Sequence, residues 1–297
     1  MSPSSDAQQS ICDYEASTYR TDFWQGQGRE YEDAVERVAL RRLLPARGSR
    51  LVDVGAGFGR LADLYDGFDE VVLLDYSQSQ LEYAREQLGD GRFTYVAADL
   101  YRLPLATNAV DTTVMVRVLH HIRDVSSALE QLARILTPQG TMVLEFANKR
   151  HFKNIVRYLL HRGVNPFTPE PYEFAELHFD FDPRWVQARL AEAGFAVEQR
   201  LSVSLLRSGL LKRTVPTRWL VGLDAALQRP TAAFAPAPSV FVQTQRWGET
   251  SSPPVERAAL FRCPDCGHEP LSPDTDAVFC PVCEGRWSII NGVYVFK

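Results

Sequence analysis

The sequence predicts an α/β fold: a mostly parallel sheet of seven strands with helices packed between them, followed by a small C-terminal ribbon built around a metal. Three observations predict it. From Arg50 to Ala147 short β-rich apolar runs alternate with helical patterns, the mark of stacked βαβ units. The first of those runs ends in a glycine-rich turn, LVDVGAGFGR, from Leu51 to Arg60. Four of the five cysteines form two CxxC pairs between Cys263 and Cys283, and Cys12 stands alone as an inert residue.

Taken in order, Glu30–Leu44 carries apolar residues at helical spacing and stops before Pro45, so it reads as a helix leading into the sheet. Five strands follow at Leu51–Val54, Glu70–Leu74, Phe93–Ala97, Asp111–Val116 and Thr141–Phe146. Helices are predicted between them at Gly59–Tyr65, Ser79–Leu88 and Val125–Leu136, the last capped by Asp124. Beyond the fifth strand, Pro183–Ala193 reads as a helix closed by Gly194, and two more strands fall at Ala196–Val203 and Val240–Arg246. Residues 205–239 form an insertion between those two strands. The organisation expected is residues 1–49 as an aromatic lead-in and helix, 50–247 as the main domain, 248–257 as a linker rich in Gly, Ser and Pro, and 258–297 as the ribbon.

A net charge of −5 gives no general attraction to nucleic acid or acidic membranes. The stretch from Leu205 to Ser239 runs the other way, with Arg207, Lys212, Arg213, Arg218 and Arg229 against Asp224 alone. The opening residues, MSPSSDAQQS, lack the basic start and apolar stretch of a secretory signal, and no run of about 18 apolar residues occurs, so a cytoplasmic protein without a transmembrane segment is expected.

The glycine turn is the most informative element. Gly55 and Gly57 let a ligand approach the backbone, and Gly59 allows tight helix packing. Its spacing is GxGxG, unlike the GxGxxG that cradles a pyrophosphate. Asp75, ending the second strand in VVLLDYS, can accept both hydroxyls of a ribose, and Asp99 in AADLYRLPL can take the exocyclic amine of adenine while the backbone of Leu100 meets the ring edge. Together they describe an adenosine-shaped slot.

These motifs, with VLHHIRDVSSALEQLARILTPQGTMVLEF beyond them, resemble the class I S-adenosylmethionine (SAM)-dependent methyltransferases, specifically the group that includes ubiquinone and menaquinone methyltransferases. The likeness covers Leu51 to Phe146. It implies a Rossmann-like class I sheet whose last strand is antiparallel, and SAM as cofactor, with Asp53 and the Gly55-Ala56-Gly57 turn near the methionine portion, Asp75 and Tyr76 on the ribose, Asp99 and Leu100 beside adenine, and Arg117 to His120 flooring the site. A carboxylate at Asp53 also suits a ligand bearing sulfonium and ammonium charges.

Methyl transfer from a sulfonium needs proximity, orientation and, for hydroxyl or amine acceptors, a base. His120 and His178 are the candidates, with His121 beside the first. MVRVLHH contains no Asn-Pro-Pro-Tyr element, which argues against methylation of adenine or glutamine amino groups, and no cysteine lies in the sheet to serve a covalent cytosine mechanism. A small-molecule or lipid-like acceptor is expected, with an RNA enzyme or an inactive SAM-binding scaffold as alternatives. Acceptor recognition falls to segments outside the motifs. Tyr14, Tyr19, Phe23 and Trp24 can close over the site or anchor the chain to the sheet. HFKNIVRYLLHRG (151–163) and the 205–229 stretch mix large apolar residues with Arg and Lys, which suits either a lipid or membrane seat or a pair of cap helices.

In the tail, Cys263, Cys266, Cys280 and Cys283 are spaced as two knuckles that bring four thiolates to one tetrahedral site, and so short a segment needs the metal, a structural Zn²⁺, as its core. The pattern FCPVCEGRWSIINGVYVF resembles the small zinc-ribbon proteins that activate several tRNA, rRNA and release-factor methyltransferases in trans. By that likeness the ribbon contacts the methyltransferase unit within the same chain. Zinc ribbons fused to bacterial rRNA guanine methyltransferases are a second precedent, but here four basic residues face seven acidic ones from Trp247 onward, a poor phosphate binder.

Overall fold

The computed structural model describes Glu15, residues 28–248 and residues 253–297. Cys12, Tyr14, Tyr19, Phe23, Trp24 and residues 249–252 of the linker lie outside the described residues.

Helix α1 (Glu30–Leu43) precedes five strands: β1 (Gly48–Val54), β2 (Phe68–Asp75), β3 (Phe93–Ala97), β4 (Val110–Met115) and β5 (Leu136–Ala147). Helix α2 (Gln78–Leu88) follows β2 and α3 (Val125–Ile135) follows β4. Ser77 caps α2, and Asp124 caps α3 by accepting the Ser127 amide. After β5 come α4 (Phe152–Leu159), a hairpin of β6 (Tyr172–Ala175) and β7 (His178–Asp180), and α5 (Pro183–Glu192) capped by Asp182. Strand β8 (Phe195–Val203), helices α6 (Gly209–Thr214) and α7 (Thr217–Leu227), and β9 (Ser239–Arg246) complete this part. The 205–239 insertion is thus α6 and α7, and the hairpin is an element the periodicity did not announce.

The strand order β3-β2-β1-β4-β5-β9-β8 is parallel from β3 to β5, and β9 runs antiparallel to both its neighbours. Central strands read as continuous apolar runs because both faces are covered: one by α1, α2 and α7, the other by α3, α5 and the C-terminal segment. Chain order reverses on either side of β1, so a crevice opens at the carboxyl ends of β1 and β4, where ligands of open α/β sheets bind.

Two expectations are corrected. Residues 59–65 are not a helix: Gly59 takes a φ of 77°, and only Ala62–Leu64 forms a short 3-10 turn. A left-handed residue at the start prevents the regular ladder from nucleating. The sheet also has eleven strands where seven were expected. Strands β10 (Ser272–Pro273), β11 (Ala277–Phe279), β12 (Arg286–Ile290) and β13 (Val293–Val295) continue it, because β13 pairs in parallel with β3 through Val293–Tyr95, Tyr294–Val96 and Val295–Ala97. In the seven-strand order β3 is an edge, and its free amides and carbonyls accept another strand.

The C-terminal segment is packed as well as paired. The Arg50 guanidinium donates to the Val255 carbonyl, and Glu269 accepts the Thr107 amide at 2.9 Å. Phe261 packs its ring, tilted, against those of Tyr294 and Phe296, and Leu260, Cys263, Leu271, Val278 and Phe296 join the core that holds α3 and α5.

Candidate functional site

The site is built where β1 gives way to the glycine turn. The amides of Gly55 and Ala56 both donate to the Leu74 carbonyl, at 2.7 and 3.0 Å, which clamps the turn to β2. Gly55 has a φ of 75°, and a Cβ there would stand 2.1 Å from Val118 Cγ2. Gly57, at 53°, is different: a Cβ would meet nothing within 4 Å, so its open side faces free space.

Asp75 closes β2 beneath that space. Its carboxylate accepts the Gly57 amide at 2.7 Å and the Ser77 amide at 2.9 Å. Burial raises its pKa, while these amides and the Lys297 ammonium oppose the rise. Asp53 is 3% exposed and accepts a hydrogen bond from the Tyr65 hydroxyl at 2.9 Å. Burial pushes its carboxyl up to about 7, against the pull of Tyr65 and Arg60.

Asp53, Gly55, Ala56, Gly57, Arg60 and Arg117 line one pocket. Both guanidiniums in its wall are held by α1. Arg60 donates to Glu36 at 3.0 Å and pairs with Asp33, and Arg117 pairs with Glu36. Arg117 has a φ of 61° and its amide donates to the buried Glu145. Arg60, Glu36 and Glu145 were not singled out in the sequence. Glu36 was findable, since it falls on the apolar stripe of α1 between Glu32 and Leu40 and is 1% exposed.

Asp99 caps the short 3-10 turn Leu100–Arg102, accepting the Tyr101 amide through Oδ1 at 2.8 Å. Oδ2 has no hydrogen-bond partner among the described residues. Leu100 packs partly buried against the core. Tyr76 carries an unforeseen neighbour: Lys297 Nζ lies 4.6 Å from its ring centroid and 3.3 Å from Glu15, which itself accepts the Gln78 and Ser79 amides. The last residue of the sequence therefore reaches the edge of the site.

The adjacent His120 and His121 are brought together with His178, which is distant in sequence. Ring centroids of His120 and His121 are 4.0 Å apart, and those of His121 and His178 are 4.7 Å apart. Nδ1 of His121 lies 3.0 Å from the Leu177 carbonyl and Nδ1 of His178 lies 2.8 Å from that of Glu176. A carbonyl can only accept, so Nδ1 is the donor in each of these bonds. Burial holds His120 well below the usual imidazole range, and the nearby Arg117 guanidinium and the neighbouring imidazoles disfavour its cation further; burial lowers His121 too.

The four cysteines also converge. Their Sγ atoms all lie within 4.8 Å of one another, none is disulfide-bonded, and Cys263–Cys283 and Cys266–Cys280 stand 3.5 Å apart. A tetrahedron of thiolates around zinc has edges of about 3.8 Å, so the set fits such an ion.

Residues 52–144 match the methyltransferase domain family. The chain is 30% identical over 178 residues to O-methyltransferase cnsE of Penicillium expansum, spanning 56% of this chain and 58% of that one. It is 34% identical over 115 residues to the demethylmenaquinone methyltransferase of Clavibacter sepedonicus, 38% of this chain and 47% of that one. It thus spans about half the length of these relatives. Among solved structures, the complex between the Haloferax volcanii Trm112 methyltransferase activator and the putative methyltransferase shares the fold with a TM-score of 0.54, at 19% identity, covering 80% of this chain and all of that one.

Proposed function

We propose, for a chain that carries a class I SAM-dependent methyltransferase domain, that the protein transfers a methyl group to a small-molecule or lipid-like acceptor. The observation that carries this reading is the open side of Gly57, whose amide is held by the half-buried Asp75, in a pocket whose wall also holds the buried Asp53 together with Arg60 and Arg117. A zwitterionic amino-acid end fits a wall bearing both signs of charge. SAM, when bound, supplies an electrophilic methyl on a good leaving group.

In this reading Asp75 and Tyr76 hold the ribose, Asp99 and Leu100 address adenine, and Asp53, Gly55, Ala56, Gly57 and Arg117 receive the methionine portion. Asp75 is already fixed by two amides, so it meets the ligand without losing rotamer freedom. His120 or His178 takes the acceptor's proton: burial keeps the His120 ring unprotonated, and the Glu176 carbonyl at Nδ1 of His178 leaves Nε2 as its accepting nitrogen. The four cysteines hold a structural Zn²⁺. An acceptor of the quinone kind is supported by the name of the relative that is a demethylmenaquinone methyltransferase.

The RNA alternative has weaker support. Arg207 and Lys212 of the basic insertion are paired with the buried Glu32 of α1, so part of that charge is spent inside the protein.

Purified protein incubated with methyl-labelled SAM and a lipid and metabolite extract should place label in an organic-soluble small molecule. Label in total RNA instead would overturn the acceptor class, and label in neither would favour the scaffold. Asp53 gives a second check. A cationic ligand favours its ionised form, so SAM affinity measured by calorimetry should rise with pH up to about 7 and level off above. A flat profile between pH 5 and 8 would remove Asp53 from the ligand's charge.

A further inference from the structure

Helix α4 is amphipathic the wrong way round for a helix that covers a core. None of its side chains is buried. Phe152, Val156 and Leu159, with Leu160 just beyond, share one face at i, i+4, i+7 and i+8, and they are 65, 36, 67 and 61% exposed. Its polar side, Lys153, Asn154 and Arg157, lines a cavity of about 370 Å³ together with Tyr172, Phe174 and Asp180. The apolar face therefore looks outward into solvent. In α7, by contrast, Leu220 and Asp224 are buried against the rest of the protein.

The surroundings extend the pattern. The Phe152 amide donates to the Pro236 carbonyl at 2.8 Å, which sets Phe234, 85% exposed, next to the start of α4. From Arg150 to Pro169 the chain carries Arg150, Lys153, Arg157 and Arg162 and no acidic residue, within a protein of net charge −5. α4 also leaves the carboxyl end of β5, so it stands on the same rim of the sheet as the glycine turn.

We propose that α4, with Leu160 and Phe234, is a docking surface for a bilayer containing anionic lipid. Large apolar side chains enter the acyl boundary and the flanking cations meet anionic headgroups, the arrangement by which an amphipathic helix lies in a membrane interface. Charge complementarity selects this occupant: the strip is cationic, and an acidic protein otherwise avoids an acidic surface. The inference rests on the lipid-like acceptor reading and sharpens it. An acceptor resident in the bilayer would enter through the cavity under α4, from which Phe174 leads to His178 at 5.7 Å between ring centroids and on to His121 and His120.

The test is flotation of the full chain with vesicles of phosphatidylcholine alone and with 30 mol% (about one lipid in three) phosphatidylglycerol, a readout that needs no turnover. Binding is expected only to the anionic vesicles, weakening steeply with salt. Phe152→Ser with Leu159→Ser, and separately Lys153→Glu with Arg157→Glu, should each lower partitioning by about tenfold or more. Because no side chain of α4 is buried, the Phe152/Leu159 variant should keep wild-type SAM affinity, which confirms that it folds. Failure of the wild type to float, as when the face is covered by a second copy or by another segment of the chain, or flotation that survives both double substitutions, would overturn the proposal. Flotation without any labelled lipid would leave the surface standing and remove the acceptor class instead.

Discussion

Loss of the Zn²⁺ proposed for the four cysteines, by chelation or by Cys263→Ser, is expected to destabilise the whole protein and to weaken SAM binding with it. Four thiolates left without an ion repel one another, and structural zinc contributes folding energy outright. In an isolated tail the damage would end there. Here Cys263 and Cys280 belong to the same core cluster as α3 and α5, and β13 is hydrogen-bonded along β3. A loss of about 3–5 kcal/mol from that shared core would lower the melting midpoint by roughly 5–8 °C in a chain of this size. Lys297 would also leave Tyr76 and Asp75, so SAM affinity should fall together with the midpoint. Elemental analysis of the purified protein should find one zinc per chain. Absence of zinc, or a midpoint unmoved by chelator, would remove the metal from the account.

Asp75→Ala should reduce SAM affinity by about tenfold or more, because hydrogen bonds to a charged group contribute about 1.5–3 kcal/mol. The effect has two parts. One is the direct contact to the ribose, and the other is the turn itself, since the Gly57 and Ser77 amides lose their acceptor. Asp75→Glu separates them: it keeps the charge but cannot keep both amide bonds at the same geometry. Calorimetry on both variants, with melting curves to confirm folding, would show whether the pocket depends on the carboxylate or only on the shape it imposes. Unchanged affinity in Asp75→Ala would exclude the ribose assignment.

How much of this was legible follows from where each signal is local. The strands were readable because Val, Leu and Ile runs buried on both faces leave no other interpretation, and Asp53, Gly55, Gly57 and Asp75 were readable because a glycine turn between a strand and an acid is a short-range pattern. Residues 59–65 misled for the opposite reason: their helical spacing is real, but the left-handed φ at Gly59 is a conformational fact that spacing does not carry. The histidine cluster was half legible. His120 and His178 stood out by type, yet their meeting depends on the β6–β7 hairpin, whose four- and three-residue strands are too short to show a period. The pairing of β13 with β3, and the reach of Lys297 to Tyr76, are long-range events that no local pattern encodes.

That pairing also bears on supply. A strand that completes an edge from a separate polypeptide is present only in proportion to how much of that partner the cell makes, and dilution strips it away. Val293–Val295 belongs to the same polypeptide as β3, so it meets that edge at an effective concentration on the order of millimolar whatever the abundance of any other protein. The β3 edge is therefore completed from within the chain, one Val293–Val295 strand to each β3, at any dilution.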